Sequence, residues 1–236
     1  MLKLIDSLLN RITMYRLVLY FLIALLAVAA IFGAVGILPY SPVALAFSTL
    51  VLIGVAWIAN QLFALAFDAH PNSESVWITA LILALIITPV MPTAAHSGPG
   101  IAFLIWAAIW AMASKYIFAI NRKHLFNPAA FAVALTALTI GQSATWWIGG
   151  NLPMLPFVLV GGLLVTRKVQ RFDLVLSFFA VGLATTVATS TLSDPLTTLQ
   201  KALIHAPFFF FAFIMLTEPL TTPPTRTRRI LYGAFV

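Results

Sequence analysis

The chain has 236 residues, 62% of them apolar and only 8% charged, with a formal net charge of +7 and no cysteine. About a quarter of an ordinary soluble domain is charged, so this chain has too few polar groups to cover a globular surface, and a soluble enzyme and a disordered segment are both excluded. The basic excess points away from nucleic acid, because Lys and Arg stand in small groups beside apolar runs, as topology signals do; the lack of thiols excludes disulfides, thiolate-held metals and iron–sulfur clusters bound by this chain.

At roughly 20 residues per membrane-spanning helix there is room for eight or nine spans. The expected fold class is therefore an all-α polytopic membrane protein. Residues 1–16 place Lys3, Arg11 and Arg16 among Leu2, Ile5, Leu8, Leu9 and Ile12, the pattern of a short amphipathic helix on a membrane surface. The run Leu17 to Leu38 is too long for a signal-peptide core and reads as a retained first span. Further apolar stretches cover 42–67, 76–90, 100–120, 128–142, 154–166, 172–190, 202–217 and 230 to the end.

Threading these in order puts the N-terminus, 68–75, 115–126, 167–171 and 218–229 on one side. Of the 13 basic residues only Lys201 falls elsewhere, and the positive-inside rule makes that side the cytoplasm. The expectation is a multi-pass protein of the cell (inner or plasma) membrane, its N-terminus cytoplasmic and the lipid bilayer its first partner. Trp146 and Trp147 read as interfacial anchors.

The stretches 76–90 and 202–217 run into TPVMPT (88–93) and TEPLTTPPT (217–225). Proline removes a backbone donor and stops a helix. Either these are helix ends with Pro-rich exits at the interface, or they are broken helices whose backbone is buried in protein or lines a cavity. The two exits can be overlaid, Ile86-Ile87-Thr88-Pro89-Val90 on Met215-Leu216-Thr217-Glu218-Pro219-Leu220, with one inserted residue. Five spans separate the copies, so the second is inverted in the membrane, a recurrent transporter plan with broken helices meeting near the midplane. The division expected is a lead-in over 1–16, a first repeat over 17–142 and a second over 143–236. The second repeat is incomplete: after its exit only Ile230 to Val236 remain, too short to span, so the chain is expected to end inside its ninth span.

Polar groups at membrane depth are costly and are functional candidates by default. Glu74 opens the third span in Asn72-Ser73-Glu74-Ser75, either as a ligand or cation contact or as an acid in a capped first turn, where it favours the helix dipole. Glu218, between Thr217 and Pro219, either binds a cation or a ring NH or pairs with Arg226, Arg228 or Arg229. In Lys123-His124-Leu125-Phe126-Asn127-Pro128-Ala129-Ala130-Phe131, Asn127 suits an N-cap and Pro128 the first helical position; the small residues beyond let a ligand approach backbone NH groups. His70, His96, His124 and His205 share no metal-ligand spacing, so no metal site is expected. No nucleophilic triad order, phosphate-cradling loop or dinucleotide fingerprint is present. Phe208 to Phe211 reads as lipid-facing or packing surface rather than a cofactor box.

Three runs together, ESVWITAL (74–81), KHLFNPAAF (123–131) and LTEPLTTPPTRTRRILYGA (216–234), resemble the membrane subunit family (NqrB/RnfD-like) shared by sodium-pumping NADH:quinone reductase and the Rnf complex. The likeness is greatest to shorter members linked to a ferredoxin-reductase-like flavin and nicotinamide domain. It runs from about residue 70 to the end, and the first two spans are generic. The resemblance implies ten helices in two inverted five-helix repeats, similar to the urea-transporter plan. It also implies a flavin (riboflavin or FMN) in an electron-transfer chain, sometimes coupled to sodium or proton movement. It places Asn127-Pro128 and Thr217-Glu218-Pro219 at the central site, with Glu74 flanking the first broken helix. In larger relatives FMN is attached to a Thr in a motif of an acid, two residues, Ser or Thr, a small residue, then Ala-Thr. Ser143-Ala144-Thr145 is one residue short and lacks the acid, so the flavin is expected to be noncovalent, with Thr145 the nearest match to an attachment point.

The function expected is a membrane-embedded electron-transfer domain serving an NAD(P)H- or ferredoxin-linked reductase domain or subunit on the cytoplasmic side. The alternatives are a channel or transporter for a small solute or ion, since fold does not fix function, and an anchor that merely tethers a soluble reductase. Aromatic walls around a wide flat cavity favour the flavin; a continuous polar path favours the channel.

Overall fold

A computed structural model describes residues 6–7, 9–70, 73–93, 97–120, 123–189, 194–204 and 207–236. The chain is a mostly helical, multi-pass membrane protein. Among the described residues four helices are long and apolar enough to cross a bilayer: α1 (Met14–Ala34), α2 (Pro42–Ala66), α4 (Gly98–Ile117) and the segment Leu152–Val169, whose α-helical part is α6 (Leu155–Val169). Three shorter apolar helices accompany them, α3 (Ser73–Ile86), α5 (Pro128–Ile140) and α7 (Phe172–Ala188). The segment α8 (Pro195–Ile204) and the helix α9 (Phe208–Met215), which turns from α to π geometry at Phe211, form a pair bent by 56° that is long enough to be a fifth span. Last comes α10 (Arg226–Phe235). The expected apolar stretches thus reappear as helices, with Pro, Gly or Asn at the starts of most of them.

The helices fall into two compact units, Val18–Trp147 and Met1–Leu17 with Ile148–Val236. In the first, α2 starts from an N-cap: Ser41 Oγ accepts from Ala44 N at 3.1 Å, and Pro42 takes the first helical position, where its missing donor costs nothing. Helix α4 packs between α2 and α5, and Ala56, Ala107, Ala108, Ala111, Ala129 and Ala132 are all buried in this unit. Small residues let helix backbones approach closely where lipid supplies no hydrophobic drive. Helix α3 is different: from Thr79 to Ile87 every residue is buried. Its 14 residues rise only about 21 Å, short of a bilayer core, and its C-terminal half is enclosed by protein while Ser73 and Trp77 stay exposed. A two-stranded hairpin, β1 (Ala119–Ile120) and β2 (Lys123–His124), joins α4 to α5.

In the second unit α6 lies against α9 and α7 against α10. Two glycines permit these approaches. A Cβ on Gly162 would run into the Phe213 ring, and one on Gly233 would stand 2.5 Å from the Leu174 carbonyl oxygen. The lead-in segment belongs to this unit and is tied to the end of α6. Arg167 makes a two-pronged pair with Asp6 (2.7 and 2.9 Å), Lys168 donates to the Leu9 carbonyl at 2.7 Å, and Leu9 is buried. The surface helix expected over 1–16 is thus cut short: residues 11–13 form a turn, Met14 already begins α1, and the part before the turn is held by protein contacts; Leu2, Lys3, Ile5 and Leu8 lie outside the described residues.

Candidate functional site

The first Pro exit is a helix break sealed by protein. The last carbonyls of any helix have no partner within it, and here a distant loop supplies them. Ile86 O accepts from Trp146 N at 2.8 Å and Thr145 Oγ1 at 3.3 Å, while Ala84 O accepts from the Trp147 indole NH at 3.0 Å. Thr88 Oγ1 donates to Thr145 Oγ1 at 3.0 Å, and beyond Pro89 the Val90 amide donates to Ser48 Oγ at 2.8 Å. Trp147 is thus not an interfacial anchor: it is 3% exposed and stands edge-on to Tyr40 with ring centres 5.1 Å apart. The interface reading failed because an indole near a span end satisfies both patterns, and only the partner carbonyl distinguishes them. Trp146 takes a left-handed backbone (φ 54°) to aim its amide at Ile86.

Asn127 caps α5, its Oδ1 accepting from Ala130 N at 3.1 Å, and Pro128 fills the first turn. In front of this cap Phe118, Phe126 and Phe131 form a cluster with ring centres 5.1 to 5.9 Å apart. Glu74 sits in the first turn of α3, where its charge favours the dipole; Asn72 lies outside the described residues. One residue on, Lys115 Nζ reaches the Ser75 carbonyl and hydroxyl at 2.9 and 3.1 Å. Of the expected site residues in this unit, Thr145 is drawn to the break itself, whereas Asn127, Pro128 and Glu74 serve the starts of their own helices.

In the other unit Thr217 is buried, its hydroxyl donating to Phe213 O at 2.6 Å, so it closes the last turn of α9. Glu218 follows, half-buried. Arg229 is engaged elsewhere, holding both oxygens of Asp173 at 2.5 to 3.1 Å.

Beside the bent helix pair lies a cavity of about 470 Å³, within the usual range for small-molecule and cofactor sites. Phe178, Phe208 and Phe211 give it aromatic walls, Thr185, Thr186 and Thr189 line another side, and the last turn of α10 forms one edge. The three rings are mutually close, Phe178 lying 5.6 and 5.5 Å from Phe208 and Phe211. None of the six expected site residues lines this cavity. Sequence reasoning passed over it because a phenylalanine block looks the same whether it faces lipid or a hollow. The one signal was the Thr185-Thr186 and Thr189 spacing, which puts hydroxyls on one face of an otherwise apolar helix.

Among the described residues no group of three or more His, Asp and Glu stands close enough to hold a metal; His96 and His205 lie outside them. In comparisons with known proteins, no family model and no curated sequence matches the chain.

Proposed function

We propose that this chain is a membrane-embedded electron-transfer domain of the membrane subunit family shared by sodium-pumping NADH:quinone reductase and the Rnf complex. It holds a flavin (riboflavin or FMN) noncovalently and serves an NAD(P)H- or ferredoxin-linked reductase on the cytoplasmic side of the cell membrane. The aromatic-walled cavity beside the bent α8–α9 pair carries this reading. A flat ring can lie against the phenylalanine wall, since offset and edge-on aromatic contacts are favourable, and the threonine oxygens on the other wall can accept from the polar edge of such a ring system. A bound flavin supplies the redox chemistry, and the protein supplies its position and surroundings. Phe178, Phe208 and Phe211 would hold the ring faces and exclude water. Phe208 and Phe211 belong to the helix that ends at Thr217-Glu218-Pro219, so this cavity and the second Pro break share one element.

The inverted five-helix repeat belongs to the same proposal. In its support, each Pro exit follows a helix whose last turns are buried, α3 at Ile86 and α9 at Met215, and beyond the first exit the Val90 amide is taken by Ser48. The basic residues of the cytoplasmic side orient it with the N-terminus inside. The cavity is tested by titrating riboflavin and FMN into the detergent-purified chain and following the quenching of flavin fluorescence. Saturable quenching, lost in Val181→Trp, whose bulk fills the hollow, is the expected result. No quenching, or quenching unchanged in Val181→Trp, removes the flavin from this cavity. Asn127 and Glu218 do not line this cavity, so Asn127→Ala and Glu218→Gln should leave the quenching unchanged, and its loss in either would move the flavin out of this cavity. A chain that binds neither flavin moves the reading to a solute or ion pathway.

A further inference from the structure

Where α7 and α10 begin, Arg229 and Arg171 stand beside Asp173, and Arg226 and Arg228 lie within one helical turn of Arg229. Arg229 takes the Asp173 carboxylate with Nε and Nη2 and gives Nη1 to the Pro224 carbonyl at 2.7 Å; the Leu174 amide also donates to Asp173, at 3.0 Å. The hydrogen bonds to Asp173 thus come from Arg229 and the Leu174 amide, and one carboxylate faces two guanidinium charges. Arg171 stands beside the pair, with Nη1 reaching the Pro223 carbonyl at a long 3.4 Å and Nε enclosed without a hydrogen-bond partner. A guanidinium does not shed its proton, so its charge persists and calls for an anion. Arg226 and Arg228 are exposed on the first turn of α10, where cations oppose the helix dipole and the first amides await acceptors. Thr225, at the N-cap, makes no side-chain cap. The exposed groups here, Arg226, Arg228 and the first amides of α10, ask for the same thing, an oxyanion, and the uncompensated charge of Arg171 beside them adds to the attraction.

We infer that this arginine cluster binds the phosphate headgroup of an anionic phospholipid. Guanidinium–phosphate contacts are bidentate and specific, and basic pockets at the ends of membrane helices take such headgroups. A lipid fits better than a free phosphate because apolar side chains stand exposed next to the arginines: Phe172 follows Arg171, and Ile230 and Leu231 follow Arg229, being 37%, 39% and 53% exposed. They offer a surface for acyl chains just where the headgroup would be held.

The test uses the full chain in a neutral detergent, its Tm measured with added phosphatidylglycerol, phosphatidylcholine or inorganic phosphate. Phosphatidylglycerol is expected to raise Tm by several degrees more than phosphatidylcholine, a preference that salt weakens. The Arg226→Gln/Arg228→Gln double variant, whose exposed side chains leave the fold undisturbed, should lose most of it, and Arg171→Gln should reduce it. Equal shifts from the two lipids, or a preference retained in both variants, would overturn the inference. Inorganic phosphate matching phosphatidylglycerol would overturn the headgroup assignment in favour of a free anion.

Discussion

Trp147→Phe tests how the broken end of α3 is held. The indole NH is the donor to Ala84 O at 3.0 Å, in a setting where Trp147 is 3% exposed. Removing it leaves a buried carbonyl without that partner, at a cost of about 1–3 kcal/mol. The smaller ring also leaves a void, since packed surroundings relax only partly, adding roughly 1 kcal/mol. The sum, about 2–4 kcal/mol, corresponds to a loss of roughly 30- to 700-fold in the folding equilibrium at 1.4 kcal/mol per decade. Thr145→Val removes a bond of 3.3 Å to Ile86 O and one of 3.0 Å from Thr88, but both threonines are exposed, so Thr88 can turn to water, and Ile86 O keeps the Trp146 amide; its cost should stay below about 1 kcal/mol. Both variants can be unfolded by SDS titration from a mild detergent and followed by far-UV circular dichroism. A Trp147→Phe variant no less stable than Thr145→Val would refute the idea that the 145–147 loop seals this helix end.

Three further outcomes are expected. Gly162→Ala drives a methyl into the Phe213 ring and should cost about 1–3 kcal/mol; Phe213→Leu in the same chain should recover part of that, whereas additive losses would mean the α6–α9 contact is loose. Asp173→Asn leaves Arg229 and Arg171 together without their carboxylate; with the pair's side chains only 15% and 12% exposed, a loss of about 3 kcal/mol is expected, and a neutral effect in the same SDS titration would contradict it. The Arg167 hydrogen bonds hold the Asp6 carboxyl below its ordinary value of 3.8. The unfolded carboxyl therefore takes up its proton first, so the pair's contribution is fully present above that value and fades as pH falls through the lower folded one. Amide protection of the segment around Leu9 should persist at neutral and mildly acidic pH and drop only in strong acid; loss at mildly acidic pH would contradict the pairing.

The membrane helices were legible because bilayer burial leaves a signal in single residues: apolar runs, basic ends, and Pro, Gly or Asn at boundaries. Asn127 as a cap and Pro128 at the first helical turn could be read from two adjacent letters, because that interaction is local. What escaped was long-range. Nothing near Trp147 in the chain announces Ala84, and nothing near Arg229 announces Asp173 rather than Glu218. The cavity escaped for a related reason, since a hollow is a property of several helices at once and Phe178, Phe208 and Phe211 become a wall only when α7 and α9 pack. The resemblance to an electron-transfer family drew attention to Thr217 and Glu218 at the end of α9, while the cavity opens beside its start.

The visible absorption spectrum of the detergent-purified chain, taken before and after acid precipitation, tests the proposed function most directly. A flavin spectrum whose colour moves into the supernatant on precipitation is the predicted result. Colour retained in the pellet would contradict noncovalent binding and return attention to Thr145, and a colourless chain that also fails to take up added riboflavin or FMN would contradict the redox assignment itself.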